Sequence, residues 1–204
     1  MSETRRRLPH IYLEGKWLFV TWHLNGSLPR DRYPPPGLRA GEAFVWMDRY
    51  LDTTRFGPMY LRREDIARIV VNSLRRGVEL GHHDLRAWVV MPNHVHALLL
   101  PARLLGGLKG STAREANQVL GRTGQPFWQA ESYDHWVRDA LEFERIVNYI
   151  ENNPVKAGLV ARPEDYLWSS AAEPAAHDGK SAVVAGTSAC ATATSVGLLH
   201  TPHT

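Results

Sequence analysis

Two histidines one residue apart, His94 and His96, sit where a Pro-Asn turn meets an apolar run, in Trp88-Val89-Val90-Met91-Pro92-Asn93-His94-Val95-His96-Ala97-Leu98-Leu99-Leu100. In an extended strand, side chains two apart project from one face, so the imidazoles stand side by side. Two imidazoles on a rigid strand make half of a divalent-metal site, and the same pair is also an ordinary polar strand edge. Further along the chain, Tyr149 and Asn153 stand four apart in a helical pattern, on one face and one turn from each other. That face lies beside the apolar stripe of Phe143, Val147 and Ile150, at the edge of whatever this helix packs against. If it packs on the sheet face of the histidines, a phenol and an amide meet two imidazoles.

Those four residues need a sheet and a helix laid across it, and the periodicity supplies both. Residues 16–24 read as a strand with bulky apolar groups on both faces, hence an inner strand covered on both sides. Residues 28–37 cannot be helix or inner strand, because their prolines remove donors and fix φ; this loop carries Arg30 and Arg32. Helices are expected over 41–51, with Phe44, Met47 and Leu51 on one stripe, and from Glu64 to about Leu80, with Ile66, Ile69, Val70 and Leu74 recurring. Thr112 followed by Glu115 is a capping-box pattern, predicting a helix over 112–120. Gly106, Gly107, Gly110 and Lys109 before it would make a phosphate-friendly corner at a helix N-terminus, or a plain turn. Phe127-Trp128-Gln129 and Tyr133-Asp134-His135-Trp136 concentrate aromatics that suit stacking on unpaired bases or filling a small core. The helix from Ala140 is expected to end near Asn153, since Pro154 disfavours helical backbone in the residue before it.

Composition narrows the class. A chain of 204 residues holds one ordinary domain with a real core. One cysteine excludes an internal disulfide and a Cys-rich zinc site. The formal charge of +3, carried mostly by arginine, permits a nucleic-acid partner. No apolar run is long enough to span a bilayer, and the basic N-terminus lacks a signal-peptide core, so cytoplasmic residence is expected. The expected organisation is a flexible basic segment over 1–15 with Arg5-Arg6-Arg7, a folded domain over 16–171, and a disordered Ala/Thr/Ser-rich tail over 172–204.

His94-Val95-His96 resembles the His-hydrophobic-His motif of the HUH single-strand nucleases. The segment Tyr149-Ile150-Glu151-Asn152-Asn153-Pro154-Val155-Lys156-Ala157-Gly158-Leu159 is similar to the tyrosine helix of the single-tyrosine HUH transposases. Taken in order with Met91-Pro92-Asn93, Leu108-Lys109-Gly110, Phe127-Trp128-Gln129, Tyr133-Asp134-His135 and Trp168-Ser169-Ser170, the motifs resemble those of the REP-associated tyrosine transposases over roughly residues 16–171.

The resemblance implies an α+β, ferredoxin-like (RRM-like) antiparallel sheet with packed helices in a single domain. It further implies Mg²⁺ or Mn²⁺ held by His94, His96 and Asn153, with Tyr149 as nucleophile forming a 5′-phosphotyrosine link. The implied partner is hairpin-bearing single-stranded DNA, with no membrane role and a monomer or homodimer acting in a bacterial cytoplasm, on the nucleoid while bound. Charge and position suggest Lys109, Arg114, Arg30 and Arg32 as DNA contacts, with Trp128 offered as an aromatic that stacks on bases. A hairpin-binding protein without catalysis is the alternative, though it would not need all four site residues. A His-x-His-x-Asp hydrolase is disfavoured because Leu98 stands at the acidic position.

Overall fold

Every residue of Leu18–His23 is buried, as a strand covered on both faces requires. In the computed structural model this strand, β1, is an inner member of a four-stranded sheet; the structure describes residues 15–28, 37–102 and 106–173. The other strands are β2 (His83–Val90), β3 (His94–Pro101) and β4 (Tyr133–Trp136), in the order β2-β3-β1-β4. All three pairings are antiparallel. The helices are α1 (Ala40–Thr53), α2 (Glu64–Glu79), α3 (Gly106–Val119) and α4 (Ala140–Lys156). The sequence β1-α2-β2-β3-α3-β4 with this strand order is the split βαβ arrangement of ferredoxin-like folds, in a single α+β domain. Here α1 is inserted after β1, and α4 follows β4.

The period of two divides the sheet into two differently used faces. Leu18, Val20 and Trp22 of β1, with Val95, Ala97 and Leu99 of β3, pack against Ile66, Val70 and Leu74 of α2 and Ala116 of α3. The opposite face carries Phe19, Val89 and Leu98, and Val147 and Ile150 of α4 are buried against it. Each such side chain contributes roughly 1.5–3 kcal/mol by leaving water. Thr21, His94 and His96 belong to this second face, since Thr21 pairs with His96 and Phe19 with Leu98 across β1 and β3.

Three elements depart from the sequence expectation. Helix α3 begins at Gly106, so Thr112 lies inside it and caps nothing. Its hydroxyl instead donates to the Leu108 carbonyl at 2.7 Å and accepts from Trp128 Nε1 at 2.9 Å. Burial of Thr112 and Ala116, with Leu108 packed against the core, outweighs the weak helix propensity of the glycines. The phosphate corner expected there therefore does not form at Thr112.

Helix α4 runs through Pro154 to Lys156. Pro154 forfeits one intrahelical bond, but Ala157 N–H still reaches the Asn153 carbonyl at 2.9 Å. The helix stops at Gly158, where φ is +69° and two bonds, Leu159 N–H to Pro154 O and Gly158 N–H to Val155 O, close a Schellman turn. The third departure is Tyr133–Trp136, a strand paired with β1 and not merely an aromatic cluster. The expected segment 1–15 (save its last residue), most of the arginine loop with Arg30 and Arg32, and nearly all of the 172–204 tail lie outside the described residues.

Candidate active site

The hairpin between β2 and β3 holds the histidines in place. Met91 N–H donates to the His94 carbonyl at 2.8 Å, and Leu24 N–H donates to the Asn93 carbonyl at 2.8 Å, tying the turn to the end of β1. Asn93 is buried, and its Nδ2 donates to the Leu51 carbonyl of α1 at 3.1 Å, so its Oδ1 faces His94 Nδ1 at 2.7 Å. That oxygen can only accept, so His94 Nδ1 carries the proton. Burial pushes the His94 imidazole well below its ordinary pKa, and the neighbouring His96 ring adds to this, so the ring is neutral and Nε2 presents a lone pair. His96 Nδ1 bonds the Thr21 hydroxyl at 2.7 Å. The two Nε2 atoms face each other at 3.1 Å.

Helix α4 lies across this face and brings in the residues expected of it. The Tyr149 ring sits edge-on to His96, with centroids 5.5 Å apart, and Asn153 Nδ2 is 3.4 Å from His96 Nε2. His94, His96, Tyr149 and Asn153 are thus brought together from two distant stretches of chain. The helix is anchored at its start by Asp139, whose Oδ1 accepts from Glu142 N–H at 2.8 Å.

Helix α1 adds two acids that sequence reasoning missed. Asp48 Oδ1 lies 3.1 Å from His96 Nε2, and Asp52 Oδ1 lies 3.6 Å from His94 Nε2. Asp48 Oδ2 faces Lys156 Nζ at 3.8 Å, and that ammonium also stands 4.9 Å over the Tyr149 ring. A signal for Asp48 was present in the chain. It falls between Phe44 and Leu51 at helical spacing, an acid inside an apolar stripe. Above it, Phe44 stacks on Tyr133 at 4.3 Å and meets Tyr149 at 6.1 Å, so aromatic rings and α1 together cover the cluster.

The electrostatics are dominated by burial and by the close approach of two acids to two imidazoles. Asp52 is pushed up to about 7 by burial and by the neighbouring charge of Asp48. Burial opposes ionisation of Asp48 as well, but the adjacent histidines, His96 first, bring it down to about 2. Burial and then the Asp48 charge raise the Tyr149 phenol above its ordinary value. Four buried oxygens converge here, Asp48 Oδ1, Asp52 Oδ1, the Tyr149 hydroxyl and Asn153 Oδ1, and none has a well-aligned hydrogen bond. Unpaired buried polar atoms are costly, and so many converging beside two imidazoles fit a divalent ion. Among the described residues Asp48, His94 and His96 form a group that could hold one, with ligand atoms all within 4.8 Å of one another. Open cavities lined by α2 and α3 residues lie on the other side of the sheet and share nothing with this cluster.

The residues expected on DNA fall elsewhere. Trp128 is buried, meets Trp22 and Phe127 edge-on and bonds Thr112, so the structure corrects its expected stacking role to one in the core. Lys109 Nζ donates to the carbonyls of Gln129 and Ala130 at 2.7 and 3.0 Å, which bridges α3 to the segment before β4. Arg114 is exposed on α3. Arg30 and Arg32 lie outside the described residues.

Comparison with known proteins agrees with the motif resemblance. The chain is similar to the REP-associated tyrosine transposase of Escherichia coli (strain K12), 27% identical over 88 residues, which are 43% of this chain and 53% of that protein. The match thus spans about half the length of that relative. The fold is that of a solved structure, the REP-associated tyrosine transposase bound to a REP hairpin, at a TM-score of 0.52 and 21% identity over 83% of this chain and 82% of the other. No family model matches the chain.

Proposed function

We propose that this protein is a metal-dependent, single-tyrosine endonuclease and strand transferase acting on single-stranded DNA that carries hairpins, as in the REP-associated tyrosine transposases it resembles. One observation carries the reading: Tyr149 stands against His96, whose ring also meets His94 and Asn153, in one cluster. The hairpin partner is supported by the REP hairpin bound in the structural relative.

His94, His96 and Asn153 would hold Mg²⁺ or Mn²⁺; two nitrogens among the donors favour Mn²⁺, since Mg²⁺ prefers oxygen. When bound, the cation supplies positive charge that polarises the scissile phosphate and offsets the charge of a phenolate. The side chains do the rest. Tyr149 Oη attacks phosphorus, the bond to the 3′-oxygen breaks, and the phenolic proton is balanced by the one the departing 3′-hydroxyl acquires. The 5′-phosphate remains on Tyr149, and its ester bond conserves the energy for rejoining to another 3′-hydroxyl, so no nucleotide triphosphate is required. His94, His96 and Asn153 have no exposed surface, so the aromatic rings over the cluster must move aside to admit DNA.

The test is a pool of labelled hairpin-bearing single strands incubated with Mn²⁺. Cleavage leaving an extendable 3′-hydroxyl is expected, and His94→Ala is expected to abolish it while hairpin binding stays within a few-fold of wild type. Equal loss of binding would make the histidines structural or DNA contacts. Binding without cleavage by the wild type would identify a hairpin-binding protein that has no catalytic role.

A further inference from the structure

We infer that Asp48, delivered by α1, is a direct metal ligand completing the His94, His96 and Asn153 set; the inference rests on the metal-dependent reading above. Three donor atoms make the case. His94 Nε2 and His96 Nε2 are 3.1 Å apart, and His96 Nε2 and Asp48 Oδ1 are also 3.1 Å apart. Two ligands at right angles around an ion at about 2.1 Å from each are separated by about 3.0 Å, so these spacings match adjacent corners of one coordination shell.

The burial and bonding of Asp48 point the same way. Its side chain is 3% exposed, and no donor is well aligned on Oδ1, although an ionised carboxylate normally fills its acceptor sites. The carboxylate is oriented: Oδ2 faces the ammonium of Lys156 and Oδ1 faces the imidazoles. A buried carboxylate so close to two imidazole nitrogens needs a proton or a cation between them. Asn153 Oδ1, likewise without a well-aligned donor, reaches the same space by a half-turn of its amide, since Nδ2 already lies 3.4 Å from His96 Nε2. The resulting donor set is two nitrogens, one carboxylate oxygen and one amide oxygen, richer in oxygen and in charge than the His-His-Asn set and better suited to Mn²⁺.

This assignment gives α1 a second role. The helix that covers Tyr149 also carries a ligand, so the bound ion fastens the cover to the sheet through Asp48.

The experiment titrates the full chain with Mn²⁺ in the absence of DNA, by calorimetry or by the electron paramagnetic resonance signal of free Mn²⁺. Hydrogen exchange of α1 amides is followed with and without the ion. Asp48→Ala is expected to weaken Mn²⁺ binding at least ~10-fold, the lower end of what supporting residues around metals cost. Asp48→Asn, which preserves shape, is expected to lose less, and Mn²⁺ should slow α1 exchange in the wild type but not in Asp48→Ala. Far-UV circular dichroism and hairpin binding establish that the variants fold. If both Asp48 variants bind Mn²⁺ as the wild type does while His94→Ala does not, Asp48 is no ligand and the metal-dependent reading stands. If the wild type itself binds no Mn²⁺, both are overturned.

Discussion

Asn93 connects the fold to the site, and removing its side chain separates two effects. Its Nδ2 donates to the Leu51 carbonyl at 3.1 Å and its Oδ1 accepts from His94 Nδ1–H at 2.7 Å, both in a side chain that is 1% exposed. Asn93→Ala leaves a buried carbonyl on α1 and a buried imidazole N–H without partners. At roughly 1–3 kcal/mol for each unsatisfied buried group, less what local relaxation recovers, the cost is about 2–4 kcal/mol. For a chain of this size that is a fall in Tm of about 4–16 °C, at about 2–4 °C per kcal/mol. The second effect is on the metal: freed from its acceptor, His94 is no longer held with Nε2 toward His96, and Mn²⁺ affinity should fall ~10–100-fold. Asn93→Asp separates the two effects. It keeps an acceptor for His94 and loses the donor to Leu51, so stability should drop while Mn²⁺ affinity stays within a few-fold of wild type. Thermal unfolding and Mn²⁺ titration on both variants provide the comparison. Mn²⁺ affinity unchanged in a destabilised Asn93→Ala would refute the idea that Asn93 sets the orientation and proton placement of His94.

Two predictions concern the scaffold. A Cβ on Gly77 would lie 2.1 Å from Cε1 of His83, a buried ring held by its Nε2 contact with the Leu74 carbonyl at 3.1 Å. Gly77→Ala should therefore destabilise by ~1–3 kcal/mol despite a better helix propensity, with partial recovery in Gly77→Ala/His83→Ala; an unchanged or raised Tm for the single variant would contradict this. Glu142 is held down to about 2, chiefly by the Arg138 guanidinium and against the effect of partial burial, with the Arg138 amide and His135 also contributing. Because the folded pKa lies below the unfolded one, its stabilisation is present above about pH 4.5 and is lost as pH falls toward 2. Solvent screening limits it to on the order of 1 kcal/mol, and Glu142→Gln should flatten the stability curve across that window. An acid limb of unchanged slope would show that the pair contributes nothing.

The parts of the site that could be read in the sequence are those fixed by local period. His94 and His96 share a face because strands alternate, and Tyr149 and Asn153 share one because helices repeat every three to four residues. Their motifs also matched a known pattern, which led to the antiparallel ferredoxin-like sheet that the strand order bears out. Asp48 and Asp52 depend on where α1 packs, a long-range choice that no local pattern encodes. Only the acid within the Phe44–Leu51 stripe hinted at it. The short strand β4 escaped notice because its four half-buried residues, Tyr133–Trp136, mix aromatic and polar groups without clear alternation. At α3 and Pro154 local rules pointed to helix ends that packing overrode: Leu108 and Thr112 draw the first turn of α3 onto the core, and buried Pro154 keeps the last turn of α4 in place.

The central claim is that Tyr149 is the nucleophile, and a covalent adduct tests it most directly. With end-labelled hairpin single strands and Mn²⁺, the wild type should yield a protein–DNA species stable on a denaturing gel, with the linkage mapped to Tyr149 by mass spectrometry. Tyr149→Phe removes one oxygen and preserves the ring against Phe19, Phe44 and His96, so its fold and hairpin binding should persist while the adduct disappears. An adduct still formed by Tyr149→Phe, or cleavage by the wild type with the phosphate left free, would contradict the account.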